Sequence, residues 1–204
     1  MQPYVLIFAL NILHAFICNG QSDWKLKRDR NQIIIYVREQ AGSPLKEYKA
    51  TATIRSPVTK VFGFMADLER HPEWVFRCTG LTIIDRPEEN RIRFHTTYDI
   101  PWPMKDRDLT AETIFTRHEG GRRIELLTHH IQLEYPLVKN IVRMPDYREW
   151  VMLEAMDSLQ TMFVTEGYAD FGGSVPPWLV NMFLVDGLYD SVMKMRELLE
   201  DQED

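Results

Sequence analysis

The feature that most constrains this chain is one long amphipathic segment that follows a succession of strand patterns. Over about residues 176–200, Trp178, Met182, Val185, Leu188, Val192, Met195 and Leu199 recur every three or four positions. Asp186, Asp190, Lys194 and Glu197 take the other side. That is the pattern of a helix with one buried face. Ahead of it, Gly172-Gly173-Ser174 interrupts the strand patterning. A lone long helix must bury its apolar face against some layer, and upstream of it the sequence offers mostly sheet. The expected class is therefore α+β, with a sheet that curls around the C-terminal helix and leaves space between the two.

The strands read as follows. Residues 24–26 suit a short strand. Residues 32–38 carry the β-branched run Ile33-Ile34-Ile35-Tyr36-Val37 of a buried one. Tyr48, Ala50, Ala52 and Ile54 alternate with Lys49, Thr51, Thr53 and Arg55, the period of a half-buried strand. Ser56-Pro57 then opens a helix, with Ser as N-cap and Pro at its first position. Its apolar stripe is Val58, Val61, Phe62 and Met65, and His71-Pro72 ends it. Residues 81–85 return to strand, and 86–90 form a turn. Over 91–100, Ile92, Phe94, Thr96, Tyr98 and Ile100 share one face. Residues 109–116 and 123–133 pair around Gly120-Gly121, and 149–153 and 161–169 follow as two more strands.

The N-terminus stands apart. Residues 5–18 are apolar except for Asn11 and His14, too short a run to span a bilayer comfortably and of signal-peptide length. Cys18 and Gly20 are small enough for a cleavage site. The expectation is a signal peptide over 1–20 and one mature domain over 21–204, periplasmic or secreted. An uncleaved anchor or a buried first helix, with a membrane-anchored or cytoplasmic protein, is the alternative. With Cys18 gone, Cys78 stands alone and no internal disulfide forms.

The chain has 204 residues, 45% of them hydrophobic and 26% charged, and a net charge of −6. These are globular values, and the basic residues are scattered, which speaks against a nucleic-acid partner. Nucleotide loops, metalloprotease helices and nucleophile elbows are missing from the sequence. No metal or cofactor is expected: adjacent His129 and His130 on a strand point to opposite faces. The ten methionines suit either a cavity for an irregular guest or the filling of core gaps.

Three stretches resemble the START (StAR-related lipid-transfer) family. Residues Pro101-Trp102-Pro103-Met104-Lys105-Asp106-Arg107-Asp108 are similar to its W-P-x-x-x-R-D entry into a central strand. Residues Asp170-Phe171-Gly172-Gly173-Ser174-Val175-Pro176-Pro177-Trp178-Leu179-Val180-Asn181 resemble its D-P-G-G-x-x-P-x-W-L-x-N lead into the last helix, with Phe171 where Pro is usual. Ser56-Pro57-Val58-Thr59-Lys60-Val61-Phe62, with Asp67 and Pro72-Glu73-Trp74, looks like its first long helix and following turn. Order and spacing fit over residues 24–199.

The resemblance implies a helix-grip (START/Bet v 1-like) fold, with a curved antiparallel sheet around the helix and an internal hydrophobic cavity. It implies one apolar ligand per domain, a lipid, sterol-like or other apolar molecule, carried or sensed. The chain would be a monomer with transient membrane contact. The alternative in the same superfamily is a cyclase/aromatase-like or hydrolase-like enzyme. Some relatives hold a buried acid and a buried Arg in the tunnel. The matching positions here fall near Phe94 and on Thr113, so this chain departs from that pair. The face of Leu109, Ala111, Thr113 and Phe115 favours a mostly hydrocarbon guest.

The expected lining is Phe94, Trp102, Met104, Thr113, Phe115, Trp150, Met152, Met182, Val185 and Tyr189. Trp102, stiffened by Pro101 and Pro103, reads either as a gate at the mouth or as a core plug. Arg107 reads as a hydrogen-bond or ion-pair anchor or as a ligand contact.

Overall fold

A computed structural model describes residues 23–102 and 104–200. The apolar run of residues 5–18, with its cleavage point at Gly20, and Pro103 lie outside them. Strands β1 (Lys25–Arg30), β2 (Ile33–Gln40) and β3 (Ser43–Ile54) form a meander. Helix α1 (Val58–Ala66), a single 3-10 turn (Leu68–Arg70) and helix α2 (His71–Trp74) follow. Next come β4 (Cys78–Glu88), β5 (Arg91–Tyr98), β6 (Arg107–His118) and β7 (Arg123–His130). The two-residue β8 (Val142–Arg143), β9 (Asp146–Ala155), β10 (Thr161–Asp170) and helix α3 (Pro177–Glu200) complete the chain.

The strands join one sheet in the order β1-β2-β3-β10-β9-β7-β6-β5-β4, antiparallel apart from β8, which pairs parallel with β6. Apart from β8, chain neighbours pair except where α1 and α2 carry the chain from β3 to the far edge. That crossover lets β10 return between β3 and β9. Helix α3 lies on β2 and β3 at one side and at the other meets α2, which in turn packs on β4. The helix-grip architecture and long C-terminal helix expected from the sequence are present.

Three local expectations change. Helix α1 begins at Val58 with Pro57 as its cap, and no side chain caps it. Ser56 is instead fully buried, its carbonyl accepting the Thr161 hydroxyl at 2.7 Å. His71-Pro72 opens α2 rather than ending α1, because proline fits a first helical turn. Strand β7 stops at His130, and β8, too short for a periodic signal, forms within the connection to β9.

The core runs along the inner face of the sheet. Ile33, Ile35, Ala50, Ile54, Leu109, Ile124 and Leu153 are almost wholly buried there with Val61 of α1 and Met195 of α3. Burying such side chains contributes roughly 1.5–3 kcal/mol each.

Candidate functional site

Between the sheet, α2 and α3 lies a cavity of about 200 Å³. The α3 wall is set by a close approach. A Cβ on Gly187 would stand 2.9 Å from the Phe76 ring, so only glycine admits that ring. One turn on, the Ser191 hydroxyl accepts the Phe76 N–H at 2.9 Å. These contacts fix the rotation of the helix. Phe183, Leu184, Gly187, Leu188, Ser191 and Val192 face the cavity.

Apolar side chains dominate the sheet wall: Phe94 and Ile100, Leu109, Leu126, Val151 and Phe163. Thr113 and Thr128 face each other across β6 and β7 and share one hydrogen bond, their hydroxyl oxygens 2.8 Å apart. Arg77 sits at the rim, paired with Asp99 at 3.0 Å. His71 lines the cavity edge-on to the rings of Trp74 and Phe94. Burial pushes its pKa down to about 4, so its imidazole is neutral at pH 7.

Among the described residues, one acid faces this apolar space. Glu149 on β9 accepts the Thr165 hydroxyl at 3.0 Å and the Tyr48 hydroxyl at 3.3 Å on Oε1, and the Tyr147 hydroxyl at 3.0 Å on Oε2. Tyr48, Gly167 and Glu149 stand in one cross-strand row over β3, β10 and β9. The missing side chain of Gly167 lets the Tyr48 ring cross the middle strand. A Cβ there would run into the Tyr48 hydroxyl and stand 2.6 Å from the Arg148 carbonyl oxygen. Burial raises the Glu149 pKa, and the three hydroxyl donors oppose that rise.

The expected lining residues divide. Phe94 and Thr113 are on the cavity wall. Phe115 shares their face but lies past the cavity, edge-on to Phe62 at 5.5 Å. Trp150 and Met152 are not on the wall. Tyr147, Glu149 and Val151 hold the inner positions of β9, so strict alternation turns Trp150 and Met152 outward. Trp150 donates its indole N–H to Glu125 at 3.3 Å. Met182 is exposed, and Val185 packs on the core beside the cavity. Tyr189 lies at the β1–β2 turn, where its hydroxyl accepts from Asn31 at 2.7 Å. The apolar stripe read for α3 fails in its first half because Gly187 and Ser191, not large apolar residues, make the close contact.

Trp102 is 91% exposed, which excludes the core plug; Met104 is half-buried in the same loop and, like Trp102, lies off the cavity wall. Arg107 is an anchor: buried, it donates to the carbonyls of Lys105, Phe171 and Gly172. It thereby ties the segment after Trp102 to the turn that leads into α3. Sequence reasoning missed Glu149 and its hydroxyl partners. Tyr48 was legible, since it heads the inward alternation Tyr48, Ala50, Ala52. Among the described residues no three His, Cys, Asp or Glu side chains gather as metal ligands.

No family model matches the chain. A StAR-related lipid transfer protein from Xanthomonas axonopodis has a similar structure, with TM-score 0.78 and 23% identity over 87% of this chain and 98% of that one. Human StAR-related lipid transfer protein 5 superposes with TM-score 0.81 and 18% identity, covering 89% of this chain and 88% of that one. Rat phosphatidylcholine transfer protein is 21% identical over 175 residues, 82% of this chain and 79% of the relative. The chain has the START fold, as the three sequence stretches imply.

Proposed function

We propose that this protein binds one hydrophobic molecule in the cavity under α3 and carries or senses it without changing it covalently. The observation that carries this reading is the cavity itself, with a mostly apolar wall from sheet and helix. The names of the similar proteins, which describe transfer of lipids and of phosphatidylcholine, support the same class. The ligand is a lipid, a sterol-like compound or another apolar molecule. The protein works as a monomer that touches the membrane transiently, with Trp102 and Trp178, 91% and 67% exposed, as the contacts.

Native mass spectrometry of the purified chain tests this. One apolar molecule per chain, removed by organic extraction and restored by adding it back, is the expected result. A chain that stays bare when apolar ligands are supplied overturns the reading, and an added ligand returned as a chemically altered product favours an enzyme.

We also propose that residues 1–20 are removed on export and that the mature domain acts in the periplasm or outside the cell. The apolar run and the small residues after it support this. N-terminal sequencing of the native protein should begin near Gln21. Intact Met1 in a soluble cytoplasmic pool would sink the proposal.

A further inference from the structure

The polar end of the cavity has a definite chemistry. A carboxylate has two oxygens and about four lone-pair positions. On Glu149, Oε1 takes two hydroxyl donors, while Oε2 takes only the Tyr147 hydroxyl. In the ionised form of Glu149 one acceptor position on Oε2 is left over. No lysine or arginine pairs with Glu149 among the described residues. The other ionisable groups on the wall do not supply a cation. Arg77 is at the rim and paired with Asp99, and His71 is neutral at pH 7. The two tyrosines and the threonine that surround Glu149 already spend their hydroxyl protons on it. The cluster is therefore rich in acceptors and short of positive charge.

We propose that Glu149, held by Tyr48, Tyr147 and Thr165, is the subsite for the polar end of the ligand, and that this end is a protonated amine on an apolar body. This rests on the cavity being a ligand site. An ammonium group brings what the cluster lacks: a donor for the open position on Oε2 and a charge opposite to that of the carboxylate. A carboxylate or phosphate head placed there would meet a like charge in a setting of low dielectric. A hydroxyl head would fill the open position without offsetting the charge. The hydrocarbon of such a ligand lies along Leu126, Val151 and Phe163.

The test uses three fluorescent long-chain probes of identical hydrocarbon, ending in a primary amine, a hydroxyl or a carboxylate. Binding to the whole protein is measured at neutral pH. The amine should bind at least about tenfold more tightly than the carboxylate, the scale of one charge-assisted hydrogen bond. Glu149→Gln keeps shape and volume and should erase that preference while leaving the hydroxyl probe within about threefold, since a neutral pair is worth less than a charge-assisted one. Tyr147→Phe frees a second position on Oε2 and should retain the amine preference, which guards against a folding artefact in the glutamine variant. A carboxylate probe that binds as well as the amine, or a preference that survives Glu149→Gln, overturns the subsite. If none of the three probes binds, the ligand-binding reading itself falls.

Discussion

On the outer face of the sheet, Asp108 and Glu112 are buried beside guanidinium groups, whereas on the inner face Glu149, among the described residues, meets only hydroxyls. Arg143 grips Asp108 with two bonds of 2.7 and 3.0 Å, and His95 Nε2 adds a third contact at 2.9 Å. Tyr135 stacks on His95 at 4.4 Å and closes the cluster. Arg93 and Arg91 reach Glu112 at 2.9 and 3.2 Å. These acids are compensated where they stand: Asp108 holds the segment between β7 and β9 against β6, and Glu112 ties β6 to β5. Glu149 is half-buried at the cavity and, among the described residues, has no cation beside it. A charge held out of water without a cation is costly, which is the ground for proposing a ligand role for Glu149 and a role in the fold for Asp108 and Glu112.

The largest expected effect lies on the paired side. Asp108→Ala leaves Arg143 and His95 facing an empty position and should cost about 3–5 kcal/mol in urea unfolding. Ligand affinity should hold in whatever fraction folds. A loss below about 1 kcal/mol, the range of an exposed pair, would remove the contrast between the faces. Next comes His71. Its folded pKa of about 4 lies below the ordinary value of 6.5, so the unfolded chain takes the proton first. Its contribution to stability is full above 6.5 and is lost as pH falls through 4, about 3 kcal/mol in all. His71→Gln should flatten that part of the stability profile, and an unchanged slope would place the titration elsewhere.

Glu149 should move the other way. Burial raises its folded pKa above the ordinary 4.5, so its contribution is full below 4.5 and falls as pH rises through the folded value. The stability of Glu149→Gln relative to the parent, without ligand, should therefore improve from acidic to neutral pH. A decline over the same range would mean that the hydroxyls make Glu149 as well compensated as Asp108. The smallest effect belongs to Trp102→Ala. An exposed side chain should change stability by less than about 0.5 kcal/mol. Exchange of a fluorescent lipid with vesicles should nonetheless slow. Unchanged exchange would remove Trp102 from the entrance.

The architecture was legible because it rests on periods. Ile33 to Val37, the alternation from Tyr48 to Ile54 and that from Ile92 to Ile100 each declare a strand and its inner face. The structure keeps all three strands, the last ending at Tyr98 rather than Ile100. The site was legible only where that inner face is apolar, as at Phe94 and Thr113. It was hidden where chemistry breaks the pattern. Glu149 reads as an outward residue because it is charged, and this assigns its neighbours Trp150 and Met152 to the wall in its place. On α3, Gly187 and Ser191 read as neutral positions, yet their small size admits Phe76 and sets the rotation of the helix. A contact made by the absence of a side chain leaves no trace in hydrophobic periodicity.

The claim that an apolar molecule occupies the space under α3 can be tested through Trp74, the one tryptophan on the cavity wall among the described residues. Trp102 and Trp178 are exposed and Trp150 lies on the outer face. A long-chain alcohol brominated along its hydrocarbon quenches an indole that it touches. Titrated into the protein, it should quench tryptophan emission to a plateau at one molecule per chain, and Trp74→Phe should abolish most of that quenching while leaving the stoichiometry unchanged. Quenching that survives Trp74→Phe and disappears in a Trp102→Phe/Trp178→Phe double variant would put the molecule on the surface and contradict the account.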